Sequence, residues 1–375
     1  MSGALGFILN AAGLIAPLAL QAKYATQAVQ EATSVQIIAG SGANDLGGDV
    51  PHVALWDDDG NRIGQWHPGK KDKIRQGDVK TIMVPHKQNH NKQADPYYVM
   101  LSNLKNDAIC IAAVTVANQK VSATFFGDTG YMCGQSWFLS DNKIGSNYQK
   151  PKCVWLDADH TNKINARALS FHVNDMAPSA DKISQYQKRP ETLCQSTPRF
   201  SFWGNLEPNG IVPFFKPKLR YKDDSTNQGE GADEKPDRVV DKKNQYDKSV
   251  YMYQGEKSKR AKDGSRRGGK PKNTPRGSNH NPEHLIITDH VEDDVRHVCE
   301  HPNSYGWDIV STVHKVYCDM EHKQLYPVCD GKQHKDNCFD MNGKSIVPKA
   351  GIASRDELAI LVPRKNYTSE AHWES

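Results

Sequence analysis

The stretch AICIAAVTV (108–116) is the segment of this sequence that says most about its fold. It is rich in β-branched residues, and it lacks the apolar–polar alternation of a strand with one face in water. We therefore predict a central strand that is covered on both faces. On this prediction Cys110 points into the core and can form a disulfide there.

Seven further segments have the composition of strands and are separated by Gly, Pro, Asn and Asp. They are VQIIA (35–39), HVALW (52–56), VKTIMV (79–84), YYVMLS (97–102), SATFFG (122–127), CVWLD (153–157) and ALSFHV (168–173). No long helical period lies between them, and such regular spacing favours antiparallel packing. The sequence thus predicts a mainly β protein whose N-terminal domain, residues 34–218, is an antiparallel sandwich or barrel.

Residues 1–33 contain the apolar stretch ALGFILNAAGLIAPLAL (4–20), which has two interpretations. Asn10 and Pro17 interrupt it, and it is too short for a stable membrane span. Its length suits a secretory leader with a signal peptide, although no Lys or Arg precedes it and it has no clean A-x-A cleavage site. The alternative is an apolar N-terminal helix that packs on the domain.

Residues 219–282 are charged and poor in apolar side chains, and we predict a long, disordered, basic linker there. Its most basic part, Lys257–Arg276, holds nine Lys or Arg and one Asp. This part has no aromatic residue to stack on bases, so nucleic-acid binding is not expected and a solubilising tether is favoured. In an exported protein, the dibasic pairs ending at Arg260 and Arg267 resemble processing sites. In an intracellular protein, KSKRAK (257–262) would be a nuclear localisation signal.

Eight cysteines fall into two groups of four, which predicts disulfides within each group. The groups are Cys110, Cys133, Cys153 and Cys194, and Cys299, Cys318, Cys329 and Cys338. The spacing leaves the pairing within each group open. Paired thiols indicate an oxidising compartment, so we expect a secreted protein, with an intracellular location as the alternative.

Residues 283–375 are predicted to form a small, cysteine-rich α+β domain with a polar tail. HLIITDH (284–290) predicts a strand, and Asp289 is placed to cap a helix after it. Val291, Val295 and Cys299 would then share the buried face of that helix. The tail carries a glycosylation sequon at Asn366.

Several segments resemble a family of uncharacterised, secreted-type proteins from filamentous fungi. They are DGNRIGQW (59–66), AICIAAVTV (108–116), GDTGYMCGQSW (127–137), KPKCVWLDADHTN (150–162), VYCDMEHKQLYPVC (316–329) and NCFDM (337–341). The resemblance spans both predicted domains but not the linker. It implies a fungal source and export, and because it implies no activity, no catalytic residue is carried over from it.

Two acidic loops offer the oxygen ligands that calcium prefers. The run DDDGN (57–61) is better explained as a tight hairpin turn, because Gly and Asn tolerate a positive φ. The stronger metal candidate comprises Asp157, the last residue of CVWLD, and Asp159, His160 and Asn162 in the loop after it. If that strand persists, Asp157 and Asp159 project to the same side. We expect no cofactor, with Ca²⁺ or another divalent metal at this loop as the alternative.

The run HVCEH (297–301) matches H-x-x-E-H, a zinc-protease pattern. Cys299 is better used in a disulfide and Pro302 ends the helix at once, so a polar helix face is favoured. The nine histidines from His280 onward, His284 and His290 among them, are likewise interpreted as surface residues. The tryptophans of the β domain, Trp56, Trp66, Trp137, Trp155 and Trp203, are interpreted as core rather than as a stacking surface.

No catalytic signature is visible, since the sequence has no nucleophile elbow, Walker loop or dinucleotide fingerprint. We therefore predict an exported, non-enzymatic protein whose β domain binds an extracellular ligand or protein. The alternative is a metal-dependent enzyme or metal-binding module that uses the Asp157 loop or the C-terminal histidines. The sequence specifies neither the ligand nor the oligomeric state.

Overall fold

The structure is a computed structural model, and it describes residues 31–144, 150–177, 186, 191–194, 196–216, 218–219, 282–348 and 365–374. The chain divides into two compact units, Met1–Ser41 with Leu46–Pro275 (unit 1) and Gly42–Asp45 with Arg276–Ser375 (unit 2). The predicted leader, linker residues 220–281 and the dibasic pairs at Arg260 and Arg267 lie outside the described residues. Within the described part, no helix is long and apolar enough to cross a membrane.

Unit 1 is built mainly from strands. They are β1 (Ala32–Ala39), β2 (Gly48–Asp49), β3 (His52–Trp56), β4 (Arg62–Trp66), β5 (Lys73–Ile74), β6 (Val79–Pro85), β7 (Tyr98–Ser102), β8 (Ile109–Ala117), β9 (Ser122–Phe126), β10 (Trp137–Phe138), β11 (Cys153–Leu156), β12 (Ala168–His172) and β13 (Phe200–Trp203). The helical segments are α1 (Gly127–Met132), α2 (Glu191–Cys194) and the 3₁₀ turns Lys87–Asn89, Thr161–Lys163 and Val173–Met176.

Two antiparallel sheets dominate unit 1. The first has the order β10-β11-β8-β1-β6, with β9 also paired to β8, and the second has the order β13-β12-β7-β3-β4. Every strand pair within these two sheets is antiparallel. The predicted mainly β, antiparallel fold is therefore confirmed.

Strand β8 lies in the middle of the first sheet, and its residues 109–116 are all buried. One of its edges pairs with β1, while β11 and β9 share the other edge. The predicted central strand is thus confirmed. Cys110 is fully buried and bonds to Cys153 of the neighbouring strand β11.

The two sheets pack face to face as a sandwich. Phe125 of β9 stacks on Phe171 of β12 and on Phe200 of β13, each with ring centroids 5.5 Å apart. At one corner, a Cβ added to Gly64 of β4 would lie 2.4 Å from the carbonyl oxygen of Pro85 in β6. The backbones approach so closely there that only glycine fits.

The outer face of the second sheet is covered by the segment that follows β13. Val212, Phe215 and Leu219 are buried against Trp56 and Met100 in one apolar cluster. The backbone N–H of Phe215 donates to the hydroxyl of Tyr98 at 2.9 Å, which fixes the segment to β7. The segment after β13 thus covers the outer face of the second sheet.

All eight cysteines are paired, each within its own group. The disulfides are Cys110–Cys153, Cys133–Cys194, Cys299–Cys318 and Cys329–Cys338. The predicted disulfides are confirmed, and the structure selects one of the pairings that the sequence left open in each group. Four disulfides are typical of an oxidising, extracellular-type environment.

Unit 2 combines a mixed sheet with one short helix in its described part. The strands are β14 (His284–Thr288), β15 (Asp308–Ser311), β16 (Val316–Asp319), β17 (Gln324–Pro327), β18 (Cys338–Asp340), β19 (Ser345–Val347) and β20 (Ser369–Trp373), and the helix is α3 (Val295–Glu300). The sheet has the order β17-β16-β15-β14-β20, and β14 is parallel to both of its neighbours. The predicted small, cysteine-rich α+β architecture is confirmed.

Helix α3 begins later than the sequence indicated, so the predicted cap at Asp289 is wrong. Asp294 is the N-cap, and its side chain accepts hydrogen bonds from the backbone N–H groups of Arg296 and His297. Val291 precedes the helix and is 68% exposed, whereas Val295 is buried. Asp289 does not cap the helix because it directly follows β14, and its backbone N–H donates to the carbonyl oxygen of Trp373 in β20.

Candidate binding face

Four neighbouring strands of the first sheet, β6-β1-β8-β9, present a regular outer surface. Direct strand pairing aligns their outward residues in three rows of four. The rows are Val79–Ile38–Ala113–Phe126, Thr81–Gln36–Thr115–Thr124 and Met83–Ser34–Ala117–Ser122. We call these twelve residues the open face. Val79 and Met83 are exposed, six residues are half-buried, and the remaining four, Gln36, Ala113, Thr115 and Phe126, are buried.

The alternate residues of the same strands point into the sandwich. Val35, Ile37, Val114 and Phe125 are fully buried, and Phe125 contacts the second sheet. Because successive side chains of a strand point to opposite sides, the open face lies on the outer side. Its backbone positions span about 14 Å across the strands and about 14 Å along them.

The open face carries no charged residue. Since 25% of the chain is Asp, Glu, Lys or Arg, a twelve-residue surface of average composition would hold three of them. In the middle row, Gln36 Nε2 lies 3.4 Å from Thr81 Oγ1, and the hydroxyls of Thr115 and Thr124 are 3.0 Å apart. The surface therefore combines hydroxyl and amide groups with apolar side chains.

Two of the five large apolar side chains that are exposed in the described part lie on this face. Val79 is 53% exposed and Met83 is 39% exposed, and both belong to β6, the last strand in the order of the sheet. At the opposite margin, Ile144 packs with the cluster of Ala113 and Phe126. An uncharged surface with exposed apolar groups at its edge strand has the composition of a contact surface rather than of a solvated one.

Helix α1 closes the neighbouring part of the outer side. A Cβ on Gly130 would lie 2.8 Å from Cγ1 of Val154 in β11, so the helix packs directly on that strand. The open face is consequently bounded by α1 on one side and by the edge of β6 on the other. It is the candidate functional site of unit 1.

A buried polar cluster near the end of β12 is the most enzyme-like feature of unit 1. Oδ1 of Asp175 accepts from Tyr186 Oη at 2.6 Å and from Arg199 Nη1 at 2.5 Å, and its Oδ2 lies 2.9 Å from His172 Nδ1. All four side chains are at most 1% exposed. A catalytic acid or base must come within hydrogen-bond reach of the substrate. This cluster is closed to solvent, and we assign it to holding the fold together.

His52 of β3 is a second buried titratable group. It is fully buried, and within the described part of the chain the side chain of Gln65 approaches its ring without forming a well-aligned hydrogen bond. Burial lowers the pKa of His52 from 6.5 to about 4, with the nearby His67 and Arg62 acting in the same direction. The folded protein therefore holds this imidazole neutral.

We expect unit 1 to lose about 1–2 kcal/mol of stability between pH 7 and pH 5 through His52. The pKa is 6.5 when unfolded and about 4 when folded. As the pH falls through 6.5, only the unfolded chain gains the proton, so the stability present above that pH is lost. Chemical denaturation at both pH values should show this loss, and His52→Phe should remove it. His90→Asn is the control, because His90 is exposed and asparagine tolerates its φ of 55°. Equal pH dependence in His52→Phe and wild type would contradict the assignment.

The loop predicted to bind metal uses its carboxylates to hold its own turn. Asp157 is fully buried, and its Oδ2 accepts from the backbone N–H and the hydroxyl of Thr161, both at 2.7 Å. Its Oδ1 lies 3.4 Å from the N–H of Asp159, and burial raises the pKa of Asp157 to about 6. His160 Nδ1 lies 2.8 Å from the carbonyl of Ile164.

Strand β11 ends at Leu156, so the extended geometry that would align Asp157 with Asp159 is absent. Among the described side chains of this loop, no three possible metal-ligand atoms lie within 4.8 Å of one another. The side chain of Asn162 lies outside the described part. A metal ion at this loop stays a prediction. The hydrogen bonds of Asp157 favour the interpretation as a structural turn.

The zinc-protease pattern is not formed as a continuous helix. His297 and Glu300 belong to α3, but His301 follows the end of the helix with extended backbone angles. The two imidazole rings lie 5.4 Å apart, and Cys299 is bonded to Cys318 as expected. The structure thus favours the polar surface interpretation for His297 and His301. For His284 and His290 the surface prediction is wrong, because both are buried.

One group in the described part has three ligand atoms within 4.8 Å of one another, and it comprises Asp319, Glu321 and His322. Lys365 already occupies this group, with Nζ 2.8 Å from Asp319 Oδ1 and 3.6 Å from Glu321 Oε2. His322 Nδ1 lies 2.9 Å from the other oxygen of Asp319. An ammonium group sits where a cation would bind, so we do not assign a metal centre here.

Other predicted features are found as follows. The run 57–61 is a hairpin turn, in which Asp57 Oδ1 accepts from the N–H groups of Asp59 and Asn61 and Gly60 has a φ of 81°. Four of the five tryptophans of unit 1 are buried core residues and Trp66 is half-buried. Asn366 is exposed, and its glycosylation stays a prediction.

Comparison with known proteins adds little. No protein-family model matches the chain, and no curated protein matches it. A crystal structure described as a variant of LOX is similar over 44% of this chain and 27% of that chain, with 10% sequence identity and a TM-score of 0.21. A likeness at that level supports no conclusion about fold or function.

The open face was not anticipated from the sequence. Its rows join residues of four strands that are far apart along the chain, and only the pairing register brings them together. The available signal was the absence of charge at alternate positions of SVQII (34–38) and VKTIM (79–83). That signal became interpretable only once the covered side of each strand was known.

Proposed function

We propose that this chain is an exported, non-enzymatic protein whose unit 1 binds a partner protein through the open face. The observation that carries the proposal is the absence of charge across twelve residues that include exposed Val79 and Met83. An uncharged sheet surface beside an edge strand suits a protein partner that packs on the face or adds a strand at β6.

Export is supported by the complete pairing of cysteines in four disulfides. The predicted resemblance to secreted-type fungal proteins favours it as well. A binding role is favoured over catalysis because the charged groups of the two buried clusters make contacts within their own cluster. Asp175 contacts Arg199, and Asp319 contacts Lys365.

A charged variant of the open face should lose partner binding. We expect the double substitution Val79→Glu with Met83→Glu to weaken binding at least about tenfold, because two carboxylates would have to be desolvated in the contact. The measurement is quantitative retention of extracellular proteins from the native host on immobilised protein, followed by titration of each retained species. Both positions are exposed, so the fold should persist.

Lys71→Glu provides the matched control, because Lys71 is exposed, lies in the loop before β5 and belongs to none of the four strands of the open face. A partner of the open face is retained by wild type and by Lys71→Glu but not by the double variant. If every retained species binds all three proteins equally, the open face is not the binding site. A hydrolytic activity that disappears in Asp157→Ala or Asp159→Ala would instead establish the enzymatic alternative.

A further inference from the structure

Unit 2 buries a lysine between two carboxylates. Nζ of Lys365 lies 3.1 Å from Asp308 Oδ2 and 2.8 Å from Asp319 Oδ1. The side chains of Asp308 and Asp319 are at most 1% exposed, and that of Lys365 is 5% exposed. Ile309 of β15 pairs with Cys318 of β16, so the two aspartates lie side by side one position further on.

Hydrogen-bond donors converge on one of the two carboxylates. The hydroxyl of Tyr367 donates to Asp308 Oδ2 at 2.6 Å, and the N–H of Met320 donates to Asp308 Oδ1 at 2.8 Å. The hydroxyl of Tyr317 lies 3.1 Å from Asp308 Oδ2 and 2.5 Å from the hydroxyl of Tyr367. The ring of Phe339 stacks on Tyr317 with centroids 4.1 Å apart. Aromatic side chains thus shield the cluster, while hydrogen bonds from Tyr367 and Met320 polarise the carboxyl group of Asp308.

We propose that Lys365 and Asp308 condense to form an intramolecular isopeptide bond, with Asp319 as the proton-transfer group. The parts required are an amine in contact with a carboxyl group, a second carboxylate beside both, and a site from which water is largely excluded. Hydrogen-bond donors on the carboxyl oxygen stabilise the negative charge that develops when the amine attacks. Each part is present among the named residues.

The reaction is a dehydration and needs no oxidant or reductant. Asp319 accepts a proton from the Lys365 ammonium, and the lone pair of the resulting amine attacks Cγ of Asp308 to form the C–N bond. The C–O bond to one carboxylate oxygen then breaks, and this oxygen leaves as water. The Lys365 ammonium carries three protons. One of them stays on the amide nitrogen, and the other two leave in the water molecule, one of these having been transferred by Asp319.

Before the reaction, Lys365 is protonated and the two aspartates are ionised. Burial alone would lower the pKa of Lys365, but Asp308 and Asp319 outweigh burial and raise it. Burial likewise acts to raise the pKa of Asp319, and its contacts with Lys365 and His322 bring it below its usual value. The free amine therefore arises by proton transfer inside the cluster, which is the step that requires Asp319.

The bond would connect two distant parts of unit 2. Asp308 begins β15, whereas Lys365 lies four residues before β20, a strand that pairs with β14 at the end of the sheet. A covalent link at this point would keep the C-terminal strand in the sheet even when the hydrogen bonds between β14 and β20 open.

The test is the intact mass of the full chain, purified with its disulfides formed. We expect a mass lower by one water molecule than the mass calculated from the sequence and four disulfides. Lys365→Arg and Asp319→Asn should both restore the calculated mass, the first by removing the amine and the second by removing the proton acceptor while leaving both reacting groups. Digestion of wild type should yield one branched peptide that contains Asp308 and Lys365.

Succinimide formation at an aspartate also removes one water, and the chain has Asp-Gly pairs at 59–60, 263–264 and 330–331. A succinimide is hydrolysed in mild base, whereas the isopeptide persists, and only the isopeptide gives the branched peptide. Wild type at the calculated mass, with Lys365 recovered in a linear peptide, would overturn the proposal. A loss of water that survives in Lys365→Arg would overturn it as well.

Discussion

Replacing Asp175 by alanine is expected to lower the free energy of unfolding of unit 1 by about 3–5 kcal/mol. The carboxylate of Asp175 contacts Arg199, Tyr186 and His172, and all of these side chains are buried. The variant leaves the guanidinium of Arg199 inside the protein without the carboxylate that it contacts. Removing one member of a buried ion pair lowers the free energy of unfolding by more than the intact pair contributes to it, because the remaining charge is still desolvated.

The measurement is native-state hydrogen exchange at the amides of β8, since those amides report the opening of unit 1 alone. Asp78→Ala is the control, because the salt bridge between Arg75 and Asp78 is exposed and should contribute less than about 1 kcal/mol. Asp175→Ala with the stability of wild type would show that the cluster makes no net contribution to the fold. It would also reopen the question of what the cluster does.

Removing the disulfide of the central strand should destabilise unit 1 by a similar amount. Replacing both Cys110 and Cys153 by alanine opens a crosslink with a sequence separation of 43 residues, and chain entropy predicts a loss of about 4 kcal/mol. The bond lies in the core, where a Cβ on Gly40 would come within 2.9 Å of Cys153 Sγ. The missing sulfur atoms therefore also leave a gap beside the main chain, which adds to the loss.

The Cys329–Cys338 disulfide of unit 2 provides the comparison, because its sequence separation is nine residues. The corresponding double alanine variant should lose about 2.5 kcal/mol on the same basis. Hydrogen exchange at the amides of β8 and of β15 separates the two effects. If loss of the Cys329–Cys338 disulfide lowers the free energy of unfolding as much as loss of the Cys110–Cys153 disulfide, chain entropy is not the main contribution. Local packing must then explain both losses.

The two proposals concern different units and can fail independently. Binding through the open face depends on uncharged side chains of β6, β1, β8 and β9. The isopeptide bond depends on Asp308, Asp319 and Lys365 of unit 2 and is measured as a mass. The isopeptide bond suits an exported protein, since a covalent crosslink, like the four disulfides, would stabilise the folded chain outside the cell.

Several features of the fold were predictable because they depend on a few adjacent residues. The run AICIAAVTV predicted a buried central strand, since nine residues without apolar–polar alternation place apolar side chains on both faces of the strand. The run DDDGN predicted the turn between β3 and β4, because glycine supplies the positive φ that the turn requires. The cysteine count predicted disulfides within each group, although spacing alone did not predict which cysteines pair.

The errors arose where a local pattern had more than one structural solution. Asp289 and Asp294 both suit a helix N-cap, and the pairing of β14 with β20 determined which one is used. Asp157 and Asp159 have the spacing of metal ligands, but Asp157 turns inward and accepts hydrogen bonds from Thr161. A carboxylate near its own backbone N–H groups can satisfy them without any metal.

What the sequence determined by itself is the mainly β class, the central strand β8, the tight turn after β3 and an oxidised cysteine framework. Each of these follows from composition or from neighbouring residues along the chain. Only the tertiary structure decided the rows of the open face, the cluster at Asp175 and the contact of Lys365 with Asp308. These features join residues from distant strands, and their chemistry depends on register and burial, which no local stretch of sequence specifies.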